Sequence, residues 1–207
     1  MKAQAREKFL TLPNILTLAR FVLAPIFAVM VLGNHPFGAL GVIVLAAATD
    51  VLDGFTARLL GLRTGLGTLL DPLADKVLGA TAYVLLTLKG LGAANVIPLW
   101  LTATVLGRDL VILAGGLAIN LARGRQKFNP TVYGKISTVL QVATVFWVLL
   151  ANCVQASTWR LRPVLVAATS TQVLSWFYAA TIAFTVISGV HYVARGARLM
   201  FSGTRQP

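Results

Sequence analysis

Long apolar runs, separated by short polar breaks that hold most of the charge, constrain this chain more than any other feature. A helix needs roughly 20 mostly apolar residues to cross the hydrocarbon core of a bilayer. Six runs approach or exceed that length, over about 15–32, 37–60, 66–88, 97–122, 132–153 and 174–194. A soluble domain also needs about a quarter of its residues charged to solvate its surface; here 57% are hydrophobic and 12% charged. The pattern predicts an all-α integral membrane fold with six transmembrane helices. A short interfacial helix over about 1–12 precedes them, and 162–171 either extends the sixth helix or lies at the interface. With no repeat, low-complexity tract or linker, 1–207 reads as a single membrane domain.

The net charge of +12 does not imply nucleic acid, because the basic residues sit at the ends of the runs. Lys2, Arg6 and Lys8 precede the first, Arg123, Arg125 and Lys127 share one break, and Arg195, Arg198 and Arg205 follow the last. With six spans these groups fall on one side, against Lys89, Arg160 and Arg162 on the other. Basic loops stay cytoplasmic, so both termini are expected there, in a multi-pass protein of a bacterial inner membrane. Cys153 is alone, which leaves no disulfide framework and no cysteine-based metal site.

The acids are the exception to this tidy arrangement. Of six, only Glu7 lies in a polar segment; Asp50, Asp53, Asp71, Asp75 and Asp109 lie inside or at the ends of apolar runs. A carboxylate at membrane depth costs at least ~2.5 kcal/mol, and four within 26 residues repel one another as well. Arg58 and Lys76 are too few to neutralise them, and divalent metal is the natural remedy. Asp50 and Asp53 are one helical turn apart with Gly54 and Ala57 on the same face and Arg58 a turn beyond Gly54; Gly67, Asp71 and Asp75 recur every four residues. Oxygen ligands without His or Cys suit Mg²⁺, Mn²⁺ or Ca²⁺. Two such ions can clamp a phosphoryl transfer. A divalent-cation transporter would also bury carboxylates, but it has no use for Arg58 beside them and would often show two related halves.

Written out, Asp50-x2-Asp53-Gly54-x2-Ala57-Arg58-x8-Gly67-x3-Asp71-x3-Asp75 resembles the signature of the CDP-alcohol phosphatidyltransferase family at all eight fixed positions. The opening Pro13-Asn14-Ile15-Leu16-Thr17-Leu18-Ala19-Arg20 is similar to that family's N-terminal segment. The resemblance implies a six-helix core and transfer of a phosphatidyl group from CDP-diacylglycerol to an alcohol, with CMP released. It implies that Asp50, Asp53, Asp71 and Asp75 hold two Mg²⁺ or Mn²⁺ ions and that Asp75 is also the general base. Gly54, Arg58 and Thr64 would contact the CDP part, Ala57 and Gly67 would leave it room, and Asn14 and Thr17 would line the same pocket. A homodimer is expected on the same ground.

For the acceptor, Arg108 and Lys135 stand out because each is embedded in an apolar run, and cations suit a phosphate-bearing substrate. Gly107-Arg108-Asp109 and the stretch from Pro130 to Gln141 look like the branch that makes phosphatidylglycerol phosphate and cardiolipin. Asp109, where phosphatidylglycerol phosphate synthases would carry Glu, and Gly116 near the place of a further Arg, resemble the CMP-forming cardiolipin synthases. The expected acceptor is phosphatidylglycerol, with glycerol 3-phosphate close behind; inositol phosphate and serine are further alternatives.

Overall fold

Every apolar run becomes a helix. The computed structural model describes residues 12–60, 65–88, 93–123, 131–157 and 162–201. Side chains at 12–17, 51–60, 65–73, 120, 122–123, 162–163 and 199–201 are outside this description, as is the expected interfacial segment at 1–11. The described helices are α1 (Leu12–Leu32), α2 (Pro36–Leu60), α3 (Gly65–Thr87), α4 (Leu99–Arg123), α5 (Val132–Ala156), α6 (Arg162–Ala168) and α7 (Thr171–Phe201). The ambiguous segment is thus a separate short helix, α6, closed by a turn before Ser170.

Local chemistry explains the boundaries. The Val31 and Met30 carbonyls accept the amides of Asn34 (3.0 Å) and His35 (2.9 Å), with Asn34 at φ 54°. This is the left-handed cap that Asn tolerates at a helix end, and Pro36 then opens α2, where its missing N–H costs nothing. Thr131 starts α5, its hydroxyl accepting the Gly134 amide at 3.1 Å, and Ser170 starts α7 in the same way with the Val173 amide at 3.4 Å.

The chain divides into two compact units, 1–96 with 149–159, and 97–148 with 160–207. In the first unit α1 packs on both α2 and α3. Its buried stripe is Arg20, Leu23, Ala24, Phe27 and Val31, the spacing of one helix face. The stripes it meets include Ala39, Ile43 and Ala46 on α2, and Ala74, Leu78, Ala82 and Leu86 on α3. Asn152 also joins this unit: its side chain accepts the Asn95 amide (2.8 Å) and donates to the Asn95 carbonyl (3.0 Å).

In the second unit α4 packs on α7, and a seam of buried hydroxyls joins α5 to α7. Ser137 meets Thr185 at 3.1 Å and Thr144 meets Thr181 at 2.8 Å, while Gln141 donates to Ser137 at 3.2 Å. Hydrogen bonds of this kind hold helices together where water supplies no hydrophobic drive. Outward faces are apolar in both units: Leu18, Val22 and Val29 on α1, Leu110, Leu113, Leu117 and Leu121 on α4, Val186, Val190 and Val193 on α7. Exposed apolar area on this scale marks a surface that meets lipid.

Among the described residues three stretches are long and apolar enough to cross a membrane, Leu99–Ile119, Val132–Ala156 and Val164–Arg198. The count falls short of the expected six because α1 and α2 contribute only shorter described apolar stretches, Leu18–Leu32 and Pro36–Asp50, and α3 carries acids within it. The protein is a multi-pass, all-α integral membrane protein.

Candidate active site

Arg20 organises the described part of the acidic region. It is 2% exposed on the inner face of α1 and reaches both neighbouring helices. One terminal nitrogen, Nη2, lies 3.1 Å from Asp50 Oδ1 of α2, and the other, Nη1, donates to Asp75 Oδ1 of α3 at 2.6 Å. The helix register accounts for this. At 1.5 Å per residue, Arg20 lies about 18 Å below the α1–α2 turn and Asp50 about 21 Å below it on the returning helix. Asp50 extends the α2 stripe through Ala39, Ile43 and Ala46, and Asp75 follows fully buried Ala74 on α3. The two acids keep 60% and 51% of their side-chain surface exposed, so the guanidinium is buried while the carboxylates open outward.

The remaining predicted residues divide by what is described. Asp53 and Asp71 lie one helical turn from Asp50 and Asp75, on α2 and α3, and Gly54, Ala57, Arg58 and Gly67 also lie on these helices; side chains there fall outside the described residues. Asn14 and Thr17 are in α1, Thr17 one turn before Arg20, again without described side chains. Thr64 is outside the described residues. Among the described residues no group of three or more His, Cys, Asp or Glu could hold a metal. Asp50 and Asp75, from different helices, nevertheless converge on one positive centre. They are hard oxygen donors with much of their surface open, a donor set that fits Mg²⁺ or Mn²⁺.

Arg108 and Lys135, the acceptor candidates, belong to the second unit. Arg108 is 8% exposed; it donates to Asp109 at 2.8 Å and to Ser188 of α7 at 2.6 Å, and sits 5.8 Å from the Tyr192 ring centre. Lys135 is exposed on α5, directly after Gly134. At Gly134 a side chain would touch Thr131, Tyr192 and Arg108.

Arg20 was missed as a functional residue. Its signal in the sequence is a lone arginine inside an apolar run, at the end of the opening Pro13–Arg20 segment.

The site thus brings carboxylates of two helices of a membrane protein onto one buried arginine. Residues 10–187 match the profile of CDP-alcohol phosphatidyltransferase, and the chain belongs to that family. It is therefore an enzyme that moves a phosphatidyl group from a CDP-activated lipid to an alcohol, and the family's chemistry is assisted by divalent cations.

Three relatives bound the comparison. The chain is 32% identical over 205 residues to the chloroplastic CDP-diacylglycerol–glycerol-3-phosphate 3-phosphatidyltransferase 1 of Oryza sativa subsp. japonica, covering 90% of this chain and 58% of the relative. It is 30% identical over 194 residues to CDP-diacylglycerol–glycerol-3-phosphate 3-phosphatidyltransferase of Aquifex aeolicus, 93% and 99%. With the CMP-forming cardiolipin synthase of Homo sapiens it shares 34% over 198 residues, 88% and 61%. It thus spans about three fifths of the rice and human proteins and nearly all of the Aquifex one.

Proposed function

We propose that the chain transfers the phosphatidyl group of CDP-diacylglycerol to phosphatidylglycerol, forming cardiolipin and CMP. The observation that carries this reading of the site is the convergence of Asp50 and Asp75, from separate helices, on one guanidinium. In the reaction the acceptor hydroxyl oxygen bonds to the donor's lipid-bearing phosphorus, the bond from that phosphorus to the CMP oxygen breaks, and CMP leaves with the electron pair. Asp75 accepts the hydroxyl proton. Two divalent ions, held by Asp50, Asp53, Asp71 and Asp75, supply charge neutralisation at the diphosphate when bound. Arg58 pairs with the diphosphate; Gly54, Thr64, Asn14 and Thr17 contact the CDP part, and Ala57 and Gly67 leave it room. Lys135, exposed on α5, and Arg108 are the acceptor-side cations.

Six spans, an interfacial N-terminal segment and one domain over 1–207 complete the reading, with both termini and the active site on the cytoplasmic side of a bacterial inner membrane and a homodimer as the working unit. Three complete spans and three helices of 21–25 residues support the six. Glycerol 3-phosphate is the second reading, favoured by likeness to nearly the full length of an enzyme named for that substrate.

The deciding assay offers purified protein CDP-diacylglycerol and Mg²⁺ or Mn²⁺ with each acceptor separately, reading CMP and the lipid product. CMP and cardiolipin with phosphatidylglycerol alone support the first reading. Product from glycerol 3-phosphate alone moves the assignment to the second, and no CMP with either acceptor refutes both.

A further inference from the structure

We propose that Arg20 is a positioning residue: a built-in counter-ion that keeps the carboxylates of α2 and α3 gathered when no metal is bound. The inference rests on the reading of Asp50 and Asp75 as metal-site carboxylates.

Three observations carry it. First, Arg20 belongs to neither acid-bearing helix; it comes from α1, which packs on both, and its two terminal nitrogens each take one acid. A planar guanidinium can span two partners in this way, whereas the compact ammonium of lysine cannot do so with a fixed spacing. Second, burial is one-sided. An arginine at 2% exposure needs anionic partners, but the partners remain more than half exposed. A pair serving only to hold the helices would be expected to close over its acids as well. Each carboxylate here keeps surface beyond the guanidinium for other contacts. Third, the position is fixed by packing. Arg20 extends the stripe of Leu23, Ala24 and Phe27, the last fully buried, so the guanidinium is delivered by the same contacts that seat α1.

The physical consequence is a division of labour between two positive charges. Without metal, Arg20 offsets the repulsion between acids on different helices. When a cation enters, it supplies much of the same neutralisation, so the metal-bound state depends less on the arginine. Removing Arg20 should therefore destabilise the metal-free protein more than the metal-bound one. By linkage the folded variant must also bind metal more tightly. A side chain that merely packs would lower stability equally in both states.

The test uses the full chain in detergent, as wild type, Arg20→Met and Arg20→Lys. Thermal unfolding is measured in EDTA and across an Mn²⁺ titration, and Mn²⁺ binding is followed by electron paramagnetic resonance. For Arg20→Met we expect a lower Tm in EDTA, a larger Mn²⁺-induced rise in Tm than wild type, and about fivefold or greater tightening of Mn²⁺ binding. Arg20→Lys, which keeps the charge, should move in the same direction by less, and decides the matter if Arg20→Met does not fold. An unchanged or smaller Mn²⁺-induced rise in both folded variants, or in Arg20→Lys alone, overturns the proposal. If wild type itself binds no Mn²⁺ and shows no rise, the metal-site reading fails first, and the proposal falls with it.

Discussion

Replacing Asp75 with asparagine removes one negative charge while keeping an oxygen where Arg20 donates. The structural cost should be small. Asp75 is about half exposed, and asparagine keeps an oxygen at the position 2.6 Å from Arg20, so after solvent screening the lost charge costs on the order of 1 kcal/mol. For a chain of this size that is a Tm change of roughly 2–4 °C. The chemical cost should be far larger. A positioned general base contributes about 10²–10⁴-fold, or roughly 3–5 kcal/mol of barrier, and asparagine cannot take the proton. Turnover of Asp75→Asn should therefore fall at least 100-fold while donor binding largely remains. CMP release under saturating acceptor gives the first quantity, and equilibrium binding of CDP-diacylglycerol gives the second. An Mn²⁺ titration separates the two roles of this residue, since lost metal affinity is recovered at high Mn²⁺ and a lost base is not. Near-normal turnover, or full recovery with metal, would refute Asp75 as the base.

Three further substitutions probe how the helices pack. Gly134→Ala brings a methyl to 3.2–3.3 Å from Thr131, Tyr192 and Arg108 at once, and should destabilise by about 1–3 kcal/mol; Gly41→Ala, with nothing within 4 Å, should be neutral or gain up to about 1 kcal/mol. Thermal unfolding of the two side by side checks the sign of each. Asn152→Ala leaves the Asn95 amide and carbonyl without the partners they have at 2.8 and 3.0 Å, and should cost about 1–3 kcal/mol. An unchanged unfolding midpoint would show that water or another side chain replaces them.

Helix positions were legible in the sequence because the bilayer imposes one length and one polarity on every span. The run at 37–60 became Pro36–Leu60, and that at 66–88 became Gly65–Thr87. What joins the helices was not legible. Ser137, Thr144, Thr181 and Thr185 are each unremarkable polar residues in apolar runs, and Thr144 satisfies itself on the Leu140 carbonyl at 2.9 Å as readily as across the interface. Only the antiparallel register of α5 and α7 turns them into a seam. Arg108 divides in the same way: Asp109 beside it could be read from the sequence, but Ser188 and Tyr192, 80 and 84 residues further on, could not.

Arg20 explains why the acid motif was legible while its counter-charge was not. The acids announce themselves by spacing, since residues three and four apart on a helix share a face whatever the helix packs against. A counter-charge has no such signature: Arg20 lies 30 residues from Asp50 and 55 from Asp75, and its role is set by how α1 packs on both other helices. Summing local charges therefore counted Arg58 and Lys76 and concluded that metal alone must neutralise the aspartates. With a buried guanidinium already on two of them, the metal-free state is less costly than that count implied. Cations then act on carboxylates already drawn together, and the same argument makes α1, which carries none of the four acids, part of the machinery that holds them.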